Sequence, residues 1–185
     1  WWEKFLRDGS DYHGPYHVVR KAQDPAVILY SGGTTGSIGT GGGAGSSGGG
    51  FKYDIPSEAL SDEKFARMIE EAEKYLGMPY VWGGSSPSTS FDCSGFVSWV
   101  INHSGWSVGR QTAQGLYDLC TPVSSAQAKP GDLIFFVGTY DTAGVSHVGI
   151  YVGGGMMIHC GDPISYADIN TSYWQSHYFS LGRLP

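Results

Sequence analysis

The sequence has few basic residues and no long apolar run, and each absence argues against a class of protein. Lys and Arg number 11 against 17 Asp and Glu, which gives a net charge of −6, and the basic residues form no cluster. Nucleic-acid binding draws most of its affinity from phosphate contacts, so we expect no nucleic-acid partner. No stretch approaches the roughly 18 consecutive apolar residues of a membrane helix, so we expect no membrane span in this fragment.

Cysteine is also scarce. The chain contains Cys93, Cys120 and Cys160, and an odd number of cysteines cannot all pair within one chain. There is no CxxC motif, and separations of 27 and 40 residues fit no zinc-ribbon pattern. We therefore expect a structural or catalytic thiol rather than a disulfide scaffold.

Glycine is concentrated in one segment. Residues 31–50 consist almost entirely of Gly, Ser, Thr and Ala, and such a segment cannot bury enough apolar surface to offset its ordering entropy. A phosphate-binding loop is the alternative, but the GxxxxGK[ST] pattern is absent. We predict a flexible linker at 31–50, between an aromatic-rich segment at 1–30 and a domain at 51–185. The segment at 1–30 is predicted to be the tail of an upstream module or a docking segment.

The domain begins with helical patterns and ends with strand patterns. Ser61 is the predicted N-cap of a first helix with apolar residues at helical spacing: Phe65, Met68, Ile69, Ala72 and Leu76. A second helix is predicted to begin at Cys93, with the stripe Phe96, Val97, Val100 and Ile101, and a third covers about Thr112 to Leu119. After Pro130, the runs DLIFFV, SHVGIYV, MMIHC and YFSLGRL predict strands. The order predicts an α+β domain in which N-terminal helices pack on a mostly antiparallel sheet.

The stretch FDCSGFVSWV places Cys93 at the start of the second helix. The N–H groups and dipole of a helix N-terminus favour a thiolate, and reactive cysteines have pKa values of about 3.5–7.5. The same N–H groups can bind the oxyanion of an acyl-transfer reaction. Cys93 is therefore a candidate nucleophile, although a small buried core residue explains this stretch equally well.

Two of the six histidines, His147 and His159, lie inside apolar strand runs, where Val or Ile would be less costly. The glycines at 153–155 predict a hairpin that places them on adjacent strands, where facing side chains lie about 5 Å apart. That arrangement suits one imidazole as a base and a second as the group that orients it. For each histidine alone, a hydrogen-bonded core residue is the alternative.

A zinc site formed by Cys93, His147, His159 and Cys160 is a further alternative. Because side chains alternate along a strand, Cys160 should point to the face opposite His159, which weakens a four-ligand site. We therefore expect no metal, and we assign Cys120, at the end of the short third helix, to packing.

Three ordered blocks, YVWGGSSPSTSFDCSGFVSWV, KPGDLIFF and VSHVGIYVGGGMMIH, resemble the NlpC-type cell-wall cysteine peptidases of bacteria, which are small papain-like enzymes. The resemblance spans about residues 74–184. It implies that Cys93 is the nucleophile, His147 the general base and His159 the residue that orients the base. It also implies a set of residues that line the substrate site: Tyr80, Trp82, Asp92 and Ser94.

Within this set, the resemblance implies that Asp92 and Ser94 help to recognise the free amino end of a stem peptide. A carboxylate beside the site suits an ammonium group. Capping of the second helix is an alternative role for Asp92, and the sequence leaves both roles open.

The activity implied by the resemblance is hydrolysis of peptidoglycan stem peptides, between D-γ-glutamate and the following diamino acid, without a cofactor. An N-acetylmuramoyl-L-alanine amidase, a related acyl-transfer enzyme and a catalytically inactive wall-binding module are alternatives. The chain has no starting Met and no signal sequence, so we expect a fragment of a modular protein. We also expect the protein to be a monomer. The parent protein is expected to be exported to the cell wall or the extracellular space, with its signal or anchor upstream.

Overall fold

The structure is a computed structural model that describes residues 52–185, so the predicted segment at 1–30 and linker at 31–50 lie outside the described residues. This part contains the helices α1 (Glu63–Glu73), α2 (Cys93–Asn102), α3 (Ala113–Leu119) and α4 (Ser172–His177). A two-stranded hairpin, β1 (Ser85–Ser86) and β2 (Ser90–Phe91), comes directly before α2. The three helices predicted from apolar spacing are confirmed. None of the helices between residues 52 and 185 has the length and apolar character of a membrane span.

One antiparallel sheet contains the other six strands of the described region. They are β3 (Thr121–Val123), β4 (Leu133–Val137), β5 (Val145–Gly153), β6 (Met156–Cys160), β7 (Ile164–Asp168) and β8 (Tyr178–Arg183). Their order across the sheet is β3-β8-β4-β5-β6-β7. The four apolar runs form β4, β5, β6 and β8, whereas the two strands at the edges, β3 and β7, were not predicted. The α+β prediction is confirmed.

The first helix begins at a different residue from the predicted one. Oδ1 of Asp62 accepts hydrogen bonds from the N–H groups of Lys64 and Phe65, at 3.0 and 3.2 Å, and caps α1. The hydroxyl of Ser61 donates instead to the carbonyl of Glu58, at 2.6 Å. A carboxylate satisfies two N–H groups here and is also favoured by the helix dipole. The prediction of Ser61 as the N-cap is therefore wrong by one residue.

Buried side chains form two clusters on opposite faces of the sheet. Leu133 and Phe135 of β4 enter the larger cluster, which lies between the sheet and α1–α3. Ile134 and Phe136 alternate with them and enter the smaller cluster, which also contains Trp174 of α4. The predicted stripe of α2 is fully buried in the larger cluster: Phe96, Val97, Val100 and Ile101. Each such side chain contributes about 1.5–3 kcal/mol when buried, so α2 is held firmly against the sheet.

Two glycines allow the loop before β1 to lie directly on the first turn of α2. A Cβ atom at Gly95 would lie 2.0 Å from the carbonyl oxygen of Gly84. A Cβ atom at Gly84 would lie 2.5 Å from the carbonyl oxygen of Ser90. The backbone N–H of Asp92 donates to the carbonyl of Gly84 at 3.0 Å, so the loop and the helix are also joined by a hydrogen bond. This close contact fixes the position of Cys93.

We expect Gly95→Ala to lower the free energy of unfolding by about 1–3 kcal/mol, because the added methyl group would overlap a backbone oxygen. Urea unfolding measures the effect. Gly115→Ala is a matched control, since Gly115 is also the third residue of its helix and its N–H donates to the cap residue Thr112. The nearest atom to a Cβ there is Oε1 of the flexible Gln111 side chain, and Ala is the better helix former. Equal losses in the two variants would contradict the role given to the contact with Gly84.

Candidate active site

The thiol of Cys93 lies against a backbone edge of β5. Strand β6 pairs with β5 only from Ile150 onward, so the first half of β5 leaves that edge open to the N-terminus of α2. Sγ of Cys93 donates to the carbonyl oxygen of Ser146 at 3.9 Å. The backbone N–H of Val148 forms a hydrogen bond with the same sulfur. The thiol therefore lies beside the backbone of His147, the predicted base.

Burial keeps this thiol protonated at rest. Cys93 is 7% exposed, and burial raises its pKa to about 12, with a smaller contribution from the Asp92 carboxylate. Hydrogen bonds from the N–H groups of Ser94 and Val148 lower the pKa of the thiol, but by less than burial raises it. The expectation that the helix N-terminus lowers the pKa is therefore wrong for the resting state, because the cost of burying the charge is larger. A thiolate can form here only when a base takes the proton.

His147 and His159 form a hydrogen-bonded pair on β5 and β6, the hairpin predicted from the sequence. Nε2 of His147 lies 2.9 Å from Nδ1 of His159. In the part of the chain that the structure describes, the thiol of Cys93 donates to Ser146 and not to the ring of His147. Nδ1 of His147 is thus the ring nitrogen that does not contact His159. It could accept a proton from the thiol.

Both imidazoles are buried and neutral. His147 is 3% exposed and His159 is fully buried. Burial lowers the pKa of His159 to about 3, and burial together with the neighbouring His159 lowers the pKa of His147 well below its ordinary value. A neutral imidazole keeps one nitrogen lone pair that can accept a proton. The resting site is therefore a neutral thiol near a neutral pair of imidazoles.

Gly149 and Trp174 determine the positions of the two rings. A Cβ atom at Gly149 would lie 3.2 Å from Cβ of His159, so the absence of a side chain leaves space for that residue to approach β5. The indole of Trp174 stacks on His147 at 5.2 Å between centroids and meets His159 edge-on at 5.4 Å. These contacts restrict the rotation of both imidazoles and keep water away from their ring faces.

The carboxylate of Asp92 is occupied by several donors. Oδ1 accepts from the N–H of Gly95 at 2.7 Å, which caps α2, and Oδ2 accepts from the N–H of Gly83 at 3.0 Å. Nη2 of Arg110 donates to both oxygens at 2.8 Å, and Nη1 donates to Oγ of Ser94, also at 2.8 Å. The structure therefore shows the capping role of Asp92, and it brings Asp92 and Ser94 together through Arg110.

The predicted aromatic residues flank the first turn of α2. Tyr80 is 8% exposed and forms a backbone bridge with Phe91, two residues before Cys93. Trp82 is 49% exposed, and its ring meets that of Tyr140 edge-on at 5.3 Å. Burial raises the pKa of Tyr140, and the nearby Cys93 adds to this increase. Trp82 and Tyr140 thus form an aromatic wall near the thiol.

The side chains considered for a zinc site do not converge. Sγ of Cys160 lies in the larger cluster and donates to the carbonyl of Phe91 at 3.2 Å, whereas His159 faces Trp174. The predicted opposite orientation of Cys160 and His159 is confirmed. Between residues 52 and 185, no three His, Cys, Asp or Glu side chains are arranged to hold a metal ion.

Three residues of the site have no counterpart among the sequence predictions: Arg110, Tyr140 and Trp174. Arg110 lies 18 positions after Asp92 in a loop, and no spacing rule connects an arginine to a helix cap at that distance. Tyr140 and Trp174 lie in stretches without strand or long-helix periodicity. In the sequence, these three are simply large or charged residues between predicted helices and strands. That pattern does not indicate which residues they contact.

The fold and the site define a papain-like α+β domain with a cysteine at a helix N-terminus and two paired histidines on neighbouring strands. A model of the NlpC/P60 family matches residues 77–183, which is more than half of the chain. The chain therefore belongs to the NlpC/P60 family, and the resemblance noted in the sequence is confirmed.

Individual relatives agree with this assignment. The chain is 45% identical over 121 residues to the bifunctional muramidase/DL-endopeptidase CwlT of Bacillus subtilis, covering 65% of this chain and 36% of that protein. It is 37% identical over 118 residues to the gamma-DL-glutamyl hydrolase of the same organism, covering 63% of this chain and 28% of that protein. The chain thus spans about a third of the length of these relatives.

A crystal structure of an NLP/P60-family protein from Staphylococcus aureus, described as similar to a lipoprotein, has the same fold. Its TM-score to this chain is 0.64, with 42% sequence identity, covering 76% of this chain and 45% of that chain. The predicted papain-like fold is confirmed by this match.

We expect the domain to lose stability as the pH falls from 7 to 5. The folded-state pKa values of His147 and His159 lie below the ordinary value of 6.5, so the unfolded chain binds these protons first. Each histidine that stays neutral in the fold then costs about 2 kcal/mol at pH 5. Urea unfolding at the two pH values measures the loss.

His159→Asn should reduce this pH dependence by about half, since one of the two buried imidazoles is removed. The same pH dependence in His159→Asn as in the unmodified chain would contradict the explanation.

Proposed function

We propose that the domain is a peptidoglycan hydrolase: a cysteine endopeptidase that cleaves the stem peptide between D-γ-glutamate and the following diamino acid. The observation that supports the proposal is a buried thiol at the N-terminus of α2 that contacts the residue before His147, whose ring pairs with that of His159. Family membership supports this choice of substrate, since one relative is named a DL-endopeptidase and another a gamma-DL-glutamyl hydrolase.

In the proposed reaction, Cys93 is the nucleophile and His147 is the base. The thiol turns from the carbonyl of Ser146 towards His147, and the ring nitrogen not engaged by His159 takes the proton as sulfur attacks the carbonyl carbon of the glutamyl amide. His159 holds the ring of His147 in the orientation that this transfer needs. Because both partners are neutral at rest, proton transfer and attack proceed together.

The negative charge that develops on the carbonyl oxygen lies at the N-terminus of α2, where backbone N–H groups, including that of Cys93, stabilise it. As the C–N bond breaks, His147 returns its proton to the amine of the diamino acid, and the glutamyl group remains on Cys93 as a thioester. Water then attacks the thioester and passes a proton to His147, which returns it to the sulfur as the acid leaves. No step uses a metal or a cofactor.

Substrate recognition is proposed to involve Tyr80, Trp82, Asp92 and Ser94. The aromatic wall lies near the thiol and exposes about half of the Trp82 side chain, which is available to a peptide. The amino end of the stem peptide would approach Asp92 and Ser94. Since Arg110 already pairs with Asp92, the ammonium must share that carboxylate with the guanidinium or displace it.

For the whole protein, we propose an exported, monomeric enzyme of the cell wall or the extracellular space. The linker at 31–50 would join the peptidase domain at 51–185 to an upstream module that includes residues 1–30. The relatives are about three times as long as the matched region, which supports a modular parent protein. Its proposed partners are peptidoglycan stem peptides and not nucleic acid.

Cys93→Ala and Cys93→Ser should each abolish hydrolysis of purified peptidoglycan, with a loss of at least about 10³-fold, because neither side chain supplies the thiolate. Products from defined muropeptides are identified by mass spectrometry, and new amino termini are expected on the diamino acid. Both variants should keep the unfolding temperature of the unmodified chain and its binding to peptidoglycan. Activity should resist EDTA and be blocked by iodoacetamide.

The same measurement separates the alternatives. Cleavage at the lactyl amide would identify an N-acetylmuramoyl-L-alanine amidase on the same fold. Binding without turnover in the unmodified chain would identify an inactive wall-binding module. Full activity in either Cys93 variant would show that the assignment of the nucleophile is wrong.

Asp92→Asn distinguishes recognition of the substrate from capping of the helix, because Asn also caps helices but carries no charge. We expect kcat/KM for a stem peptide with a free amino end to fall by about tenfold or more, the value of a charge-assisted hydrogen bond. The same peptide with an acetylated amino end is the control, and its kcat/KM should change much less. Equal losses on both peptides would assign Asp92 to capping and positioning alone.

A further inference from the structure

Three buried polar atoms belong to His159 and to two residues beside it. They are Nε2 of His159, Oγ of Ser165 and Nε1 of Trp174, and none has a hydrogen-bond partner among residues 52–185. Their residues are 0%, 3% and 2% exposed, respectively. Buried polar groups without partners are rare in proteins, so three around one imidazole require an explanation.

Ser165 and Trp174 are both neighbours of His159. Ser165 on β7 is the direct cross-strand partner of His159 on β6. Opposed side chains on neighbouring strands have Cβ atoms about 4.5–5.5 Å apart, so rotation about the Cα–Cβ bond of Ser165 brings its hydroxyl within reach of the ring. The indole of Trp174 meets the same ring edge-on, 5.4 Å away between centroids.

The hydrogen-bonding capacities of these groups restrict how they can pair. The indole N–H of Trp174 only donates, and an imidazole nitrogen either donates or accepts according to its tautomer. The hydroxyl of Ser165 is the one group of the three that can accept two hydrogen bonds. Two arrangements engage all three atoms. In the first, Ser165 accepts from both Nε2–H of His159 and Nε1–H of Trp174; in the second, it accepts from the indole while its O–H donates to Nε2 of His159.

We propose that Ser165 is a positioning residue that selects the tautomers of both histidines. By accepting a hydrogen bond from Nε2–H of His159, it leaves Nδ1 of His159 as an acceptor, and Nε2 of His147 must then carry a proton and donate to it. Nδ1 of His147 is consequently unprotonated and can take the thiol proton of Cys93. This inference rests on the proposed function of His147 as the base.

The opposite arrangement would prevent the reaction. If Nε1–H of Trp174 or the O–H of Ser165 donated to Nε2 of His159, Nδ1 of His159 would carry the proton and donate to Nε2 of His147. The proton of neutral His147 would then lie on Nδ1, which could no longer accept from the thiol. Because the hydroxyl of Ser165 can accept the indole N–H, Trp174 need not donate to His159, and Ser165 is assigned as the acceptor from Nε2–H of His159.

The first test is spectroscopic and needs no substrate. In ¹⁵N-labelled protein at neutral pH, long-range ¹H–¹⁵N correlation spectra distinguish protonated from unprotonated ring nitrogens. We expect His159 protonated at Nε2 and His147 protonated at Nε2. In Ser165→Ala, we expect a substantial population of His159 protonated at Nδ1. Detection of His159 protonated at Nδ1 in the unmodified chain would overturn the proposal.

The second test is kinetic. A wrong tautomer in a comparable triad lowers kcat by up to about 10⁴-fold, so kcat of Ser165→Ala on peptidoglycan fragments should fall at least about tenfold, with a smaller change in KM. Ser165→Thr retains the hydroxyl and should restore both most of kcat and the original tautomer. Ser104→Ala is the control, since Ser104 is 1% exposed, bonds the carbonyl of Val100 and lies outside the site.

Unchanged tautomers and unchanged kcat in Ser165→Ala would overturn the proposal. An equal fall in kcat for Ser104→Ala would also overturn it, since the effect would then follow from lost stability. If Ser165→Ala does not fold, the spectrum of the unmodified chain and that of Ser165→Thr still decide the tautomer. An unmodified chain with the expected tautomers but no hydrolysis would instead contradict the proposed function and leave the tautomer assignment in place.

Discussion

The carboxylate of Asp92 is the group on which the geometry of the site depends. It caps α2, binds the N–H of Gly83 in the preceding loop and pairs with Arg110 from the following loop. Burying a carboxylate costs several kcal/mol unless its oxygens are satisfied, and here both oxygens accept hydrogen bonds. The same contacts that offset this cost join three separate segments of the chain. As a result, the residue after Asp92 is held at one place relative to β5.

The sheet supplies the other half of the site through an uneven pairing of strands. Strand β4 pairs along β5 as far as Val145, but β6 pairs only from Ile150 onward. The uncovered edge admits the thiol of Cys93 on one side, while the space at Gly149 allows His159 to reach the ring of His147. The proposed nucleophile thus lies against the backbone that precedes the proposed base.

Features that depend on residues close together in the chain could be predicted from the sequence, and features that depend on distant residues could not. The start of α2 and the strand positions of His147 and His159 follow from periodicity within a few residues, and the structure agrees with them. The contacts of Arg110 and Trp174 join segments far apart in the chain, and no single stretch records them. The cap of α1 was misplaced by one residue because Ser61 and Asp62 are both good capping residues, and only their contacts show which one serves.

The protonation of Cys93 shows why position in a helix does not by itself predict reactivity. The N-terminus of α2 favours a thiolate, yet burial together with the charge of Asp92 opposes it more strongly. The same dry surroundings keep the histidines neutral and so preserve the lone pair that a base requires. Burial therefore makes the thiolate costly at rest and keeps its proton acceptor available. In the proposed reaction, therefore, the thiolate forms by transfer of a proton to a neutral imidazole and not from a thiolate–imidazolium pair that exists at rest.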